Sequence, residues 1–217
     1  MKRSLARHLP GWILLGFVLV ILLPNALKTT LGAAGRAISR LPESVGVAVS
    51  YGSIAPMFTS SVDYWSATIA QWAERFDLDP NLLATIMQIE SCGDSTVVSY
   101  AGAQGLFQVM PFHFASGENQ LDPDTNAMRG ADFLNQCLGW ANGNTGLAMA
   151  CYNGGPSVLG KPYAAWPAQT QRYFTWGTTI YEDAVQNKLD SDSLQSWLDA
   201  GGSSLCHRAA NSLGISG

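Results

Sequence analysis

Two Asp-Pro pairs, Asp79-Pro80 and Asp122-Pro123, constrain what this chain can fold into more than any other feature. An aspartate offers a side-chain acceptor at a helix N-cap, and proline at the first helical position lacks only an N–H that would be unpaired there anyway. Each pair therefore starts a helix. After the first pair, Leu82, Leu83, Ile86 and Ile89 recur at helical spacing, which predicts about three turns with a wide apolar face. Glu90 closes that stretch one turn after Ile86, so its carboxyl falls on or beside the apolar face. A carboxylate so placed is desolvated, its pKa rises, and it can hold a proton near neutral pH and donate it. The competing reading is a boundary glutamate that turns to water.

The rest of the chain reads as helices separated by Gly/Pro-rich breaks. Trp65, Ile69, Trp72 and Phe76 predict an amphipathic helix ending near Asp77. After Asp122-Pro123, the pattern Ala127, Gly130, Ala131, Leu134, Leu138 carries a helix to 136–138. A short helix over 146–152 is stopped by Asn153-Gly154-Gly155-Pro156, and a longer one over 168–184 bears Tyr173, Trp176, Ile180 and Tyr181. Leu194, Trp197 and Leu198 mark a short helix, Gly201-Gly202 a break, and 205–213 another helix. Residues 92–110 are rich in small side chains and predict a loop with a small hairpin. No strand–helix alternation occurs, so the fold class is mainly α.

With 217 residues, the chain has room for one compact domain with tails. Only 13% of residues are charged and the net charge is −4, which excludes a nucleic-acid binder relying on a basic face. Seven Trp residues suit contacts with sugar rings, although core packing uses the same residue type. Lys2, Arg3 and Arg7 precede an apolar run from Gly11 to Leu23 bounded by Pro10 and Pro24. Such a run is short for a spanning helix. Residues 1–24 are therefore expected to be a signal peptide or a retained membrane anchor forming an N-terminal hydrophobic helix, with the balance towards the anchor, and either exports the remainder of the chain. Residues 25–61, without a sustained period, read as a linker. Four cysteines in an exported chain predict two disulfides; of the three pairings, Cys137–Cys151 between neighbouring helices is geometrically easy and would leave Cys92–Cys206, but sequence alone does not decide among them. The rival zinc site finds no paired short Cys/His spacing.

A lone acid beside an apolar face, a glycine-rich loop, amide side chains and rings together make a sugar cleft the leading reading. Gln108 and Asn153 offer donors and acceptors to hydroxyl and acetamido groups, and Tyr152 adds a phenol. Each has a plainer role: Gln108 satisfying loop backbone, Asn153 ending a helix, Tyr152 packing. Glycoside cleavage commonly uses a second carboxylate. Asp94, Glu118 and Asp122 are the candidates, and a turn, a polar loop and a helix cap account for them. His113, between Phe112 and Phe114, reads as a packing residue, and Ser91 has no His/Asp partner at a telling spacing.

Four motifs in register resemble a known family. These are Glu90-Ser91; Ser99-x-x-Gly102-Ala103-x-Gly105-Leu106-Phe107-Gln108-Val109-Met110-Pro111; Asp122-Pro123-x-x-Asn126 with Gly130; and Ala148-x-x-Cys151-Tyr152-Asn153-Gly154-Gly155-Pro156. In order and interval they resemble the catalytic domain of lytic transglycosylases of the soluble-lytic-transglycosylase type, from about Trp65 to Tyr181. The resemblance implies a lysozyme-like, goose-type α+β domain that cleaves the β-1,4 bond between N-acetylmuramic acid and N-acetylglucosamine in peptidoglycan, with no cofactor. It implies that Glu90 acts as acid and then base, and that the product carries a 1,6-anhydromuramyl end. Ser99, Gln108, Met110, Tyr152 and Asn153 match substrate-cleft positions. Phe107 stands where methionine is commoner. Gln169-Thr170, before Tyr173, stands where the family often has Glu-Thr, so substrate register rather than reaction type is affected. The expected layout is a catalytic domain over 62–185 and a C-terminal helical extension over 186–217, facing the bacterial wall outside the cytoplasm. A hydrolytic muramidase of the same fold and a non-catalytic wall-binding module are the alternatives.

Overall fold

A computed structural model describes residues 53–215, so the expectations for 1–24 and for most of the 25–61 linker lie outside the described residues. The described part is mainly helical. In chain order it runs α1 (Ser60–Asp63), α2 (Ser66–Phe76), α3 (Pro80–Glu90), α4 (Pro123–Trp140), α5 (Thr145–Gly154), α6 (Ala168–Val185), α7 (Asp192–Trp197) and α8 (Ser203–Leu213). Both Asp-Pro pairs start helices as expected: Asp79 accepts from the Asn81 N–H, and Asp122 from the Thr125 N–H at 2.9 Å.

Helix α3 differs from its expected one-faced form. Every residue from Leu82 to Gln88 is buried, so α3 is a central helix with α2 and α6 packed against it. A helix enclosed on all sides needs partners for its polar groups. Thr85 Oγ1 donates back to Asn81 O at 2.7 Å, and Gln88 Oε1 accepts from the Thr59 N–H at 3.2 Å and Thr59 Oγ1 at 3.0 Å. Those Thr59 contacts also correct the linker boundary. Ile54, Ala55, Met57 and Phe58 are buried in the core, and the Ala55 N–H donates to Asn81 Oδ1 at 2.8 Å. This short irregular segment buries two adjacent pairs of side chains on either side of exposed Pro56, with neither helical nor strand periodicity, which is why its packing left no pattern to read.

The loop after α3 forms the small hairpin only as two antiparallel bridges, Val98 with Gln104 and Gln104 with Val109. Helix α5 runs through Asn153 and Gly154, the residues expected to stop it, and ends at Gly155 with φ 79°. Gly154 serves a close approach instead: a Cβ there would lie 2.7 Å from Thr170 Oγ1 on α6. Both expected disulfides are present, Cys137–Cys151 with Cα atoms 5.7 Å apart and Cys92–Cys206 with Cα atoms 5.0 Å apart. The first ties α4 to α5. The second ties α8 to the end of α3, where Cys92 adopts φ 53° and its N–H closes the helix on Met87 O at 2.9 Å.

No helix among the described residues is long and apolar enough to cross a membrane.

Candidate active site

Glu90 is the last residue of α3 and faces a cavity of about 230 Å³. Ile89 beside it supplies an apolar wall, α5 supplies Asn153, and the first half of α6 supplies Gln169, Arg172, Tyr173 and Trp176. The last wall residue is Trp197, at the end of α7. Glu90 is half-buried because it opens onto this space, yet protein crowds its carboxyl from every other direction. Desolvation therefore dominates and pushes its pKa from 4.5 to about 8. The Tyr173 hydroxyl, lying against the carboxyl, opposes that rise by favouring the charged form. Desolvation outweighs it, and Tyr173 Oη reaches well-formed hydrogen-bond geometry with no described residue.

Two tyrosines flank the acid, and both phenols are held neutral. Tyr173 and Tyr152 have pKa values raised well above 10, first by burial and then by the charge on Glu90. Tyr152 Oη donates to Phe107 O at 2.8 Å, so α5 holds the loop as well as facing the acid. Asn153 Oδ1 accepts from Thr170 Oγ1 at 3.0 Å, which fixes the amide of this cavity-lining residue.

Expected site residues are divided by the structure. Glu90, Asn153, Gln169 and Tyr173 share one cavity, whereas Gln108, Met110 and Tyr152 line a second, much smaller one with His113 and Phe133. Gln108 Nε2 donates to Val97 O at 3.1 Å and Gly105 O at 2.9 Å, so its amide nitrogen takes the plainer role of satisfying loop backbone. Ser99 Oγ likewise accepts from the Ala103 N–H at 2.9 Å. Asn126 of the third motif clamps the same loop, accepting from the Phe107 N–H at 2.9 Å and donating to Gln104 O and Gln120 O. Ser91 is buried and donates to Leu106 O at 2.7 Å.

The three alternative carboxylates all have other work. Asp94 accepts from the Thr96 N–H and hydroxyl, Glu118 pairs with Arg129, and Asp122 caps α4. Glu118 is held below the usual carboxylate range chiefly by Arg129, and Asp122 by the Thr125 hydrogen bonds. His113 packs between Phe112 and Phe133, with ring centroids 4.5 and 4.4 Å away, and partial burial lowers its pKa. Sequence reasoning missed Arg172, Trp176 and Trp197 as cavity residues. Gln169, Arg172, Tyr173 and Trp176 share one helical face, so their spacing carried a signal; for Trp197 there was none.

Residues 67–174 match the family described as Transglycosylase SLT domain. A protein named Transglycosylase from Enterobacteria phage PRD1 is 35% identical over 111 residues, covering 50% of this chain and 40% of that protein. This chain therefore matches less than half of that relative's length. Among solved structures, an inactive mutant of lytic transglycosylase Slt from Pseudomonas aeruginosa aligns with a TM-score of 0.47 and 24% identity, over 58% of this chain and 25% of that one. The four motifs and the half-buried acid they surround all fall within 67–174, the stretch that is similar to the Transglycosylase SLT domain family.

Proposed function

We propose that the chain is a peptidoglycan lytic transglycosylase with a lysozyme-like, goose-type α+β catalytic domain spanning 62–185. The observation that carries this reading is a single available carboxyl, Glu90, which desolvation keeps protonated up to about pH 8. Glu90 donates its proton to the glycosidic oxygen between N-acetylmuramic acid and N-acetylglucosamine, and the bond from that oxygen to C1 breaks. The resulting carboxylate takes the proton of the muramyl C6 hydroxyl as its oxygen bonds to C1. A 1,6-anhydromuramyl end forms, Glu90 regains its proton, and no water or cofactor is consumed. Among the described residues Glu90 is the only carboxylate lining this cavity, and Asp94, Glu118 and Asp122 are tied to other partners.

Asn153, Gln169 and Tyr173 are the groups we assign to substrate beside the acid, with Ser99, Gln108, Met110 and Tyr152 shaping the adjoining cleft. The substrate places the enzyme outside the cytoplasm, secreted or anchored through 1–24. The deciding experiment is mass spectrometry of digested peptidoglycan. Anhydromuramyl ends are expected; reducing muramyl ends would identify a hydrolytic muramidase instead. Glu90→Gln is expected to reduce cleavage by roughly 10³-fold or more while leaving glycan binding largely intact, because amide for carboxyl keeps shape and removes the transferable proton. Undiminished wall clearance by that variant would overturn the assignment and favour a binding module.

A further inference from the structure

We propose that Trp197, beyond the stretch matched to the family, is a substrate-binding residue of the Glu90 cavity whose indole N–H donates to a sugar oxygen of the glycan. The inference deepens the peptidoglycan reading and rests on it. Its basis is position, support and an unused donor.

Position comes first: Trp197 lines the same cavity as Glu90, although residues 67–174 contain the whole family match. Its support is built by the C-terminal segment. Trp197 ends α7, and its ring presses on the turn after that helix, where a Cβ at Gly202 would come within 2.5 Å of ring atoms Cε3 and Cζ3. Any other residue at 202 would push the indole off its seat. Helix α6, which carries Gln169 and Tyr173, packs directly against α7. From the other side, Cys206 on α8 is bonded to Cys92, two residues beyond Glu90. The acid and the indole are thus held from one covalently closed frame, and the segment after the family match completes the site's wall.

The donor is the most specific observation. Trp72 and Trp166, buried to a similar degree, both spend their N–H on protein acceptors, Asp124 Oδ1 and Val158 O, each at 2.8 Å. Trp197 is 5% exposed and has no acceptor among the described residues. Nor is its N–H among the sealed polar atoms without a partner, which are Gln120 Oε1, Tyr173 Oη and Thr178 Oγ1. Trp197 thus carries a donor with no acceptor among the described residues, on a residue that lines the cavity. A sugar ring, which carries hydroxyl and acetamido oxygens around an apolar body, suits an indole with a free donor.

The test uses the full chain carrying Glu90→Gln, so that substrate is bound but not consumed, titrated with a tetrasaccharide of alternating N-acetylglucosamine and N-acetylmuramic acid. Nitrogen–proton spectra display the indole signals, and that of Trp197 is assigned from its contacts with Gly202. It is expected to shift on titration while the Trp72 signal stays in place. Adding Trp197→Phe, which keeps an aromatic ring and removes the donor, should weaken binding roughly 3- to 10-fold, the value of one neutral hydrogen bond. With Glu90 intact, the loss from Trp197→Phe should fall mainly on KM. A Trp197 signal unmoved by saturating tetrasaccharide, or unchanged affinity in a folded Trp197→Phe chain, overturns the inference and leaves the function standing. If the unsubstituted chain makes no anhydromuramyl ends and binds no tetrasaccharide, the functional reading fails and this inference with it.

Discussion

Two walls near Glu90 are built on opposite plans: one lines the Glu90 cavity, the other the smaller cavity of Gln108, Met110 and Tyr152. On one side, the loop over 92–110 spends its polar side chains on its own backbone: Gln108 on Val97 O and Gly105 O, Ser99 on the Ala103 N–H. Asn126, reaching in from α4, adds three more bonds to the loop and its neighbour Gln120. On the other side, α5, α6 and α7 present Asn153, Tyr173 and Trp197 to the cavity, and Tyr173 Oη makes no well-formed hydrogen bond among the described residues. The cause is elementary. A loop has no repeating ladder to satisfy its buried N–H and C=O groups, so side chains must do it. Helices satisfy their own backbone and leave side chains free for a ligand. Motif residues in the loop therefore hold the shape of the cleft, and those on the helices meet the ligand that enters it.

The Cys92–Cys206 bridge joins the two walls, and cutting it is the strongest way to break the comparison. It spans 114 residues, against 14 for Cys137–Cys151. By chain entropy the long closure stabilises by about 5 kcal/mol and the short one by about 3. Replacing Cys92 and Cys206 together by Ser should lower stability more than replacing Cys137 and Cys151, as read by denaturant midpoint. It should also cost more activity at a temperature where both variants remain folded, because only that pair links the start of the loop to the segment bearing Trp197. Equal activity losses from the two pairs would show that the walls keep their places without it.

A smaller effect separates the walls themselves. Gln108→Ala removes two side-chain hydrogen bonds to partly buried carbonyls and is expected to destabilise by about 1–2 kcal/mol. Thermal unfolding measures that loss directly. KM should move less than it does in Asn153→Ala, at a residue that lines the cavity. If Gln108→Ala instead leaves stability intact and raises KM sharply, the loop wall meets ligand as the helical wall does, and the contrast falls.

Legibility in the sequence divides along the same line. The helix starts, the order of helices, the glutamate at the end of α3 and the presence of two disulfides could be read, because capping residues, periodicity and cysteine number are local signals, whereas which cysteines pair depends on the fold. The one-faced reading of α3 was wrong because Thr85 and Gln88 look polar and only tertiary partners make them fit a fully enclosed helix. Gln108 looked like a cleft residue from its motif, and its inward amide nitrogen depends on a left-handed backbone, φ 45°, that the residue type does not announce. The packing of Ile54 to Phe58 and the arrival of Trp197 at the cavity are long-range events with no period or spacing to betray them.

The finest test lies on the helical wall, at Tyr173. Its hydroxyl is buried without a well-formed hydrogen bond, so Tyr173→Phe removes a desolvated polar group, and the variant should be at least as stable as the parent by thermal unfolding. Activity should respond instead through Glu90. The hydroxyl favours the charged carboxylate, so its removal raises the Glu90 pKa further, and the alkaline fall in kcat/KM should move upward from about 8. Stability supplies the sign check. A carboxyl whose folded pKa lies above its unfolded value of about 4.5 favours folding in its protonated form, and that contribution is lost as pH rises from about 4.5 through about 8. Between pH 5 and 9 the folded chain should therefore lose stability with rising pH, slightly more in Tyr173→Phe than in the parent, and Glu90→Gln should abolish this component in both. A Tyr173→Phe profile displaced towards acid would mean that the hydroxyl opposes the charge on Glu90, and would remove the helical wall's claim to tune the acid rather than merely enclose it.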